Sequence, residues 1–306
     1  MSTFSKTSLF KKLEEVEQIA QLSKARRLLK NPWKYLKAVG HRKLFFSNSK
    51  KPLSAKTRTF FDAPIYLALP SGTDIYLTGG KSHDSEIRLA RLMIKFLNEG
   101  DFFVDVGAHY GYFSLLAAHL VGKHGEVLAF EASPQSFQLL TKNTAPQKQI
   151  KVINKAVAQK ESLLHFYEFP NLYSEYNSFD VTPFEKEDWF NKNLPNKIEI
   201  PSIPLDNFSE KCPKIIKIDV EGAEFEVIKG AATLLQKQES TMLVMEYLNK
   251  ERGNDAHQKA MDLLIKWGYQ CFYIDQAGDL MPCGAPEEYL HQRSYDSDNL
   301  VFLKNK

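Results

Sequence analysis

The chain has 306 residues, 43% hydrophobic and 25% charged, with a formal net charge of +3, a composition that leaves room for a large core and excludes disordered, fibrous and disulfide-scaffold classes. No apolar run reaches the ~18 residues of a membrane span, no signal-peptide h-region is present, and Cys212, Cys271 and Cys283 lack paired C-x-x-C spacing, which together argue for a cytoplasmic protein without structural zinc. The small net charge hides a split: residues 1–60 hold 15 Lys/Arg against 3 Asp/Glu, and the remainder 25 against 34. The expected organisation is therefore a basic helical N-terminal extension, 1–60, ahead of one domain, 61–306.

In chain order, residues 8–30 carry a helical stripe of Leu9, Leu13, Val16 and Ala20 that Asn31-Pro32 ends. A basic, aromatic stretch follows, with Trp33, Tyr35, Arg42, Lys43, Phe45 and Phe46. Such interleaving suits peripheral contact with an anionic membrane or nucleic acid, and its plainer reading is a helical lid packed on the domain. Ile65–Leu69 and Asp74–Leu77 alternate around Pro70-Ser71-Gly72-Thr73 and predict a β-hairpin. A helix is expected over 84–98, with His83 in the loop before it.

The chain then reaches its central stretch. Phe102, Phe103, Val104 and Val106 form a short apolar run, the mark of a strand buried on both faces. It ends in Asp105-Val106-Gly107-Ala108-His109-Tyr110-Gly111, and helical spacing resumes at once. A strand that turns on glycines into a helix brings backbone N–H groups to the carboxyl edge of a sheet, where open α/β folds hold ligands. A second strand, Glu126 to Phe130, ends on Glu131, an acid placed to accept both hydroxyls of a ribose. The spacing is G-x-x-x-G and not the dinucleotide G-x-G-x-x-G. An acid with free N–H groups suits the ammonium and carboxylate of a sulfonium amino acid, and the site reads as one for S-adenosylmethionine (SAM).

Ser133-Pro134 opens the next helix. Val152-Ile153 is a third strand, and its exit, Asn154 to Val157, lies beside the second strand's tip, where an adenine would rest. Residues 161–205 interrupt the β-α alternation with two strands, 163–169 and 197–203, around an aromatic loop expected to cover the acceptor site. Ile215 to Glu224 repeats the opening pattern: buried strand, acidic tip, glycine turn, helix. In a doubly wound sheet this strand neighbours the first at the switch point, so Asp219, Glu221 and Glu224 are expected to converge beside the transferred methyl. Met242–Met245 is a further strand ending in Glu246. Asp255-x-x-Gln258 resembles a capping box, and Cys271–Ile274 and Leu300–Leu303 are the last strands.

Several ordered motifs, FVDVGAHYGYFS at 103–114, VLAFEASPQSF at 127–137, INKAV at 153–157, IPLDNF at 203–208 and IIKIDVEGAEFEVIKGA at 215–231, together resemble the FkbM-type SAM-dependent methyltransferases over about residues 62–304. The resemblance implies an α/β, class I methyltransferase (Rossmann-like) fold: a seven-stranded, mostly parallel sheet, last strand antiparallel, with helices on both faces. It implies O-methylation of a hydroxyl on a sugar, glycan or secondary metabolite. Residue by residue, it places Asp105, Gly107, His109 and Gly111 around the methionyl part and Glu131 on the ribose. Ala132, Ser133, Asn154 and Ala156 are expected at the adenosyl end. Asp219 is expected both to contact the cofactor and, with Glu221, to serve the chemistry, His109 being the alternative base. His109 stands where the family more often has Asn, and Ala132 where Pro commonly follows the acid. Asp219, Glu221 and Glu246 offer oxygen ligands to Mg²⁺, but no His/carboxylate spacing demands a metal and none is assigned. Two rivals are an RNA methyltransferase recruited by the extension, which the acidic domain disfavours, and a non-catalytic module that kept the fold. The sequence leaves the acceptor and the oligomeric state open.

Overall fold

Strands flanked by helices on both faces need apolar side chains in both directions, and the runs around Phe103, Val127, Ile216 and Leu243 supply them. A computed structural model, which describes residues 4–46, 49–238 and 240–304, arranges the strands accordingly. They are β1 Leu53–Arg58, β2 Pro64–Leu69, β3 Phe102–Val106, β4 Glu126–Phe130, β5 Ile150–Ile153, β6 Ala156–Val157 and β7 Leu163–Glu168, then β8 Asn196–Ile203, β9 Ile215–Ile218, β10 Met242–Leu248, β11 Tyr269–Ile274, β12 Leu280–Pro282 and β13 Ser297–Lys304. The main sheet has the order β12-β11-β13-β10-β9-β3-β4-β5. Strands β10, β9, β3, β4 and β5 run parallel, and β13 is antiparallel to β10 and β11. The doubly wound order and antiparallel closing strand match expectation. The count is eight and not seven because the three-residue β12 adds an edge strand too short to show a period.

One face buries the helices Asp84–Phe96 and Tyr112–Val121 through Leu92, Ile94, Leu115 and Leu116. The other buries Glu224–Lys229, Ala232–Lys237 and Asp255–Lys266 through Val227, Leu234 and Leu264. A buried bidentate pair, Arg88 to Asp298 at 2.9 and 3.1 Å, fastens the helix Asp84–Phe96 to β13.

The predicted hairpin of 65–69 with 74–77 is not formed. Thr73–Thr78 is a short helix, and β2 pairs instead with β1, Leu53 opposite Leu69 and Arg58 opposite Pro64. The four residues of Asp74–Leu77 fit either period, and helix geometry turns Ile75 and Tyr76 into the core. The single predicted helix over 8–30 is two, Lys6–Gln21 and Lys24–Lys30, because Ser23 accepts the Arg26 N–H and starts the second. Leu9, Leu13 and Val16 pack into the same core as the helix Asp84–Phe96. The expected capping box is also absent: Asn254 precedes the helix with no side-chain cap, while Gln258 accepts from Tyr247 and donates to Asp262. The two strands expected in the 161–205 insertion form as β7 and β8, which pair antiparallel, and β6 adds to β8. Between them Phe169, Phe184 and Phe190 form a small core of their own, with Tyr173 stacked on Trp189 at 4.0 Å.

Candidate active site

The carboxyl ends of β3, β4, β9 and β10 open into a cleft of about 900 Å³. At its centre Gly107 has φ +82°, and a Cβ there would stand 1.8 Å from the Asp219 carbonyl oxygen. Only glycine therefore lets the tips of β3 and β9 meet. His109, also left-handed at φ 50°, donates its backbone N–H to Glu131 Oε2 at 2.6 Å, and the Ser133 N–H donates to Oε1 at 2.9 Å. Two donors hold the acid in place, and each oxygen keeps a lone pair for a further partner. Burial pushes the Glu131 carboxyl up to about 7.

The other predicted cofactor residues divide into those that line the cleft and those that shape it. Gly107, His109, Glu131, Ala132, Ala156 and Asp219 line it. Ser133 caps the helix Pro134–Thr144 by accepting the Ser136 N–H at 3.1 Å. Asn154 donates to the Glu131 carbonyl at 2.8 Å, tying the β5 exit to the β4 tip. Gly111 starts the helix Tyr112–Val121 at φ +85°, and its open side faces Leu140. Asp105 is fully buried beneath the cleft, accepting from Ser114 Oγ at 2.6 Å with Lys217 Nζ at 3.7 Å.

Lys217 is the hinge of the charge arrangement. It projects from β9, is 2% exposed, and donates to Asp219 Oδ2 at 3.0 Å. Burial opposes its charge, but Asp219 and Asp105 outweigh that and keep it protonated. Burial likewise opposes the Asp219 anion, which Lys217 and Lys81 hold below the usual carboxylate range. Beyond it, Glu221 sits at φ 50° on the turn after β9, and Glu246 reaches in from β10. Their oxygens and those of Asp219 lie within 4.8 Å of one another. Burial, then Glu246 and Asp219, pushes Glu221 well above the usual range, and burial, then Asp219, pushes Glu246 up to about 8. Glu224 does not join them. It is fully buried behind the turn, where Oε1 accepts the N–H groups of Val220 and Gly222 at 3.3 Å and Oε2 lies 3.2 Å from His257 Nε2.

The opposite wall contains groups that no motif signalled. Lys81 pairs with Glu86 and lies 3.7 Å from Glu175 of the insertion. His109 Nε2 meets Ser174 Oγ at 3.1 Å, and Ser174 bonds Ser71 at 3.1 Å. Burial, then Lys81, depresses the His109 pKa to about 3, so its ring is neutral at physiological pH. Ser174, Glu175 and Tyr176 line the cleft, so the insertion forms part of its wall. Lys81 lies in a loop and Glu175 in the short 3-10 helix Asn171–Tyr176 of the insertion, so only the folded chain shows their convergence. The cleft thus has an acid-rich end at β9 and β10 and a mainly apolar end at Phe130, Val157 and Phe166.

The family model of the methyltransferase FkbM domain matches residues 105–271. A curated relative, the hexuronic acid methyltransferase AglP of Haloferax volcanii, is 26% identical over 152 residues, which cover 48% of this chain and 56% of the relative. The match thus spans about half the length of that relative. Among solved structures, the methyltransferase FkbM of Methylobacillus flagellatus superposes with a TM-score of 0.42 at 16% identity, over 76% of this chain and 52% of that one. A SAM-dependent O-methyltransferase of Thermotoga maritima gives 0.41 at 13%, over 82% and 78%.

Proposed function

The chain belongs to the FkbM methyltransferase family, and from that premise we propose that it O-methylates a hydroxyl of a sugar or glycan, with Glu221 and Glu246 as the proton-accepting pair. The methyl donor is S-adenosylmethionine, which supplies an electrophilic methyl on a sulfonium. The cleft fits that molecule: the Glu131 carboxylate keeps two lone pairs free for ribose hydroxyls, and Phe130, Val157 and Phe166 offer apolar surface for a base. Asp219, held ionised by Lys217, suits an ammonium. Lys81, which lines the cleft, provides a positive partner for a carboxylate.

The observation that carries the reading is the packing of three carboxyls within 4.8 Å at the cleft. An alcohol must lose its proton as its oxygen gains the methyl, and an acid poised near the working pH is the effective acceptor. Glu246, at about 8, meets that requirement, and Glu221, raised by burial and by Glu246, lies beside it. Asp219 is the poorer base because Lys217 holds it ionised, and it orients the acceptor. His109, neutral and bonded to Ser174, is the reserve base. A sugar acceptor is supported by the cleft-lining Tyr176, since aromatic faces suit the C–H faces of pyranose rings, and by the relative named for hexuronic acid.

Labelled methyl transferred from SAM to cell extract, separated into glycan, lipid, nucleic-acid and small-molecule fractions, tests the proposal. Label in the glycan or small-molecule fraction supports it; label confined to RNA would favour the nucleic-acid reading instead. Loss of turnover in chelator with recovery on Mg²⁺ would assign the three acids to a cation.

Glu131→Gln gives a separate readout of the donor site. The amide puts an N–H against the N–H of His109 or Ser133 and loses a charged acceptor, worth about 1.5–3 kcal/mol. SAM affinity measured by calorimetry is expected to fall roughly tenfold to a hundredfold. In the unaltered protein it is expected to weaken below about pH 7, as the acid takes up its proton. Affinity unchanged in the variant would remove Glu131 from the donor site.

A further inference from the structure

The proposed reaction leaves one large feature unused. Among the described residues, five of the exposed large hydrophobic side chains fall in one short segment: Leu29, Trp33, Leu36, Leu44 and Phe45, with Trp33 83% and Leu29 80% exposed. They lie on the helices Lys24–Lys30 and Pro32–His41 and the π-helical turn Arg42–Phe46. Trp33 and Leu36, three residues apart, are neighbours on one helix face, while Ala38 of the same helix is buried against the core. A run of apolar groups this dense on a monomer surface marks an interaction site.

The charge around it is of one sign. Lys24, Arg26, Lys30, Lys37 and Arg42 are exposed in the same segment, which contains no Asp or Glu. Two further cations there have structural duties and are discounted. Arg27 holds the turn at Leu22 through a 2.9 Å bond to its carbonyl, and Lys34 bonds Thr57 Oγ1 at 2.9 Å and the Tyr76 carbonyl at 3.2 Å. The remainder of the chain, from residue 61, carries more acid than base. The cations are therefore concentrated where the apolar groups are.

We propose that residues 24–45 dock the protein onto an anionic lipid bilayer, with the leucines and Trp33 entering the acyl boundary and the basic groups meeting headgroups. Trp at such a boundary sits with its ring in the interface, and apolar burial combined with basic charge is what holds amphipathic helices there. Exposed leucines favour lipid over nucleic acid, because an aliphatic side chain offers a base no stacking face. Arg27 and Arg42 also border the cleft. Docking through this face therefore brings the cleft mouth to headgroup level, where an acceptor carried on a lipid would be presented.

Flotation of the full chain with vesicles tests this. Binding is expected to vesicles of phosphatidylcholine containing about a third phosphatidylglycerol, and not to phosphatidylcholine alone, and it should weaken as salt rises. Neutralising Lys24, Arg26 and Lys30 to Gln is expected to lower the partition roughly hundredfold, at about fivefold per charge. Trp33→Ser with Leu36→Ser is expected to lower it at least about tenfold at unchanged charge. All five side chains face solvent, so SAM affinity and thermal melting should be unaltered, which separates lost docking from lost folding. No flotation with anionic vesicles would overturn the proposal. So would RNA binding that survives the Trp33/Leu36 variant while lipid binding is absent, or a stable dimer that shields 24–45.

Discussion

Glu221→Gln is expected to lower kcat for methyl transfer by about 10²–10⁴-fold, the usual contribution of a placed base, with SAM affinity changed only a few-fold. Glu221 lies on the turn after β9 and Glu131 on the tip of β4, so the two roles are carried by different walls of one cleft. The pH profile adds a second signature. Glu246, which burial and Asp219 raise to about 8, accepts no proton until it has ionised, so the rate in the unaltered protein should climb with pH toward about 8. Glu246→Gln removes the like charge that acts most strongly on Glu221. Its ionisation should then come at lower pH, and the rising limb should move to the acid side. A structural role for Glu246 would reduce the rate without moving that limb. Full turnover in both amide variants would exclude the pair as proton acceptors.

Lys217→Met is expected to cost about 3–5 kcal/mol of stability, the range for removing one partner of a buried ion pair. The methionine fills similar volume, so the loss is electrostatic. Asp105, whose Oδ1 has no hydrogen-bond partner, keeps only Ser114, and Asp219 loses its 3.0 Å donor. Denaturant unfolding should show a lower midpoint at unchanged slope. Lys217→Met combined with Asp105→Asn should recover part of the loss, because the uncompensated charge is removed with its partner. A single variant as stable as the parent would mean that the lysine charge carries no weight in the folded state.

The parts of this fold that were legible in the sequence share one property: the chemistry and the period lie within a few consecutive residues. β3, β4 and β9 each show an apolar run closed by an acid or a glycine turn, and their neighbours in the sheet follow from the doubly wound rule. Thr73–Thr78 was misread because so short a segment satisfies two periods. Its supposed place in the hairpin belongs to β1, where Leu53, Ala55 and Thr57 face inward between exposed Ser54, Lys56 and Arg58, a weak apolar signal. For the site, Glu131, Gly107 and Asp219 could be found from the strand tips. Lys81, Glu175 and Ser174 could not, because they come together across separate segments. Gly107 is required by the close approach of β3 to the Asp219 carbonyl, a contact between distant segments that the glycine turn alone does not reveal. Glu224 was grouped with the cleft acids by proximity in sequence, yet the helical turn carries it to His257, a residue hidden inside an amphipathic helix.

The most direct test of hydroxyl methylation by a carboxylate pair is the chemical form of the product. The acceptor labelled from SAM should be purified, treated with mild alkali, and the methyl located by NMR. An alkali-stable methoxy group on a ring carbon, absent when Glu221→Gln is assayed, is the predicted result. A methyl released by alkali would be a carboxyl ester, formed without loss of a hydroxyl proton, and would contradict the role given to Glu221 and Glu246.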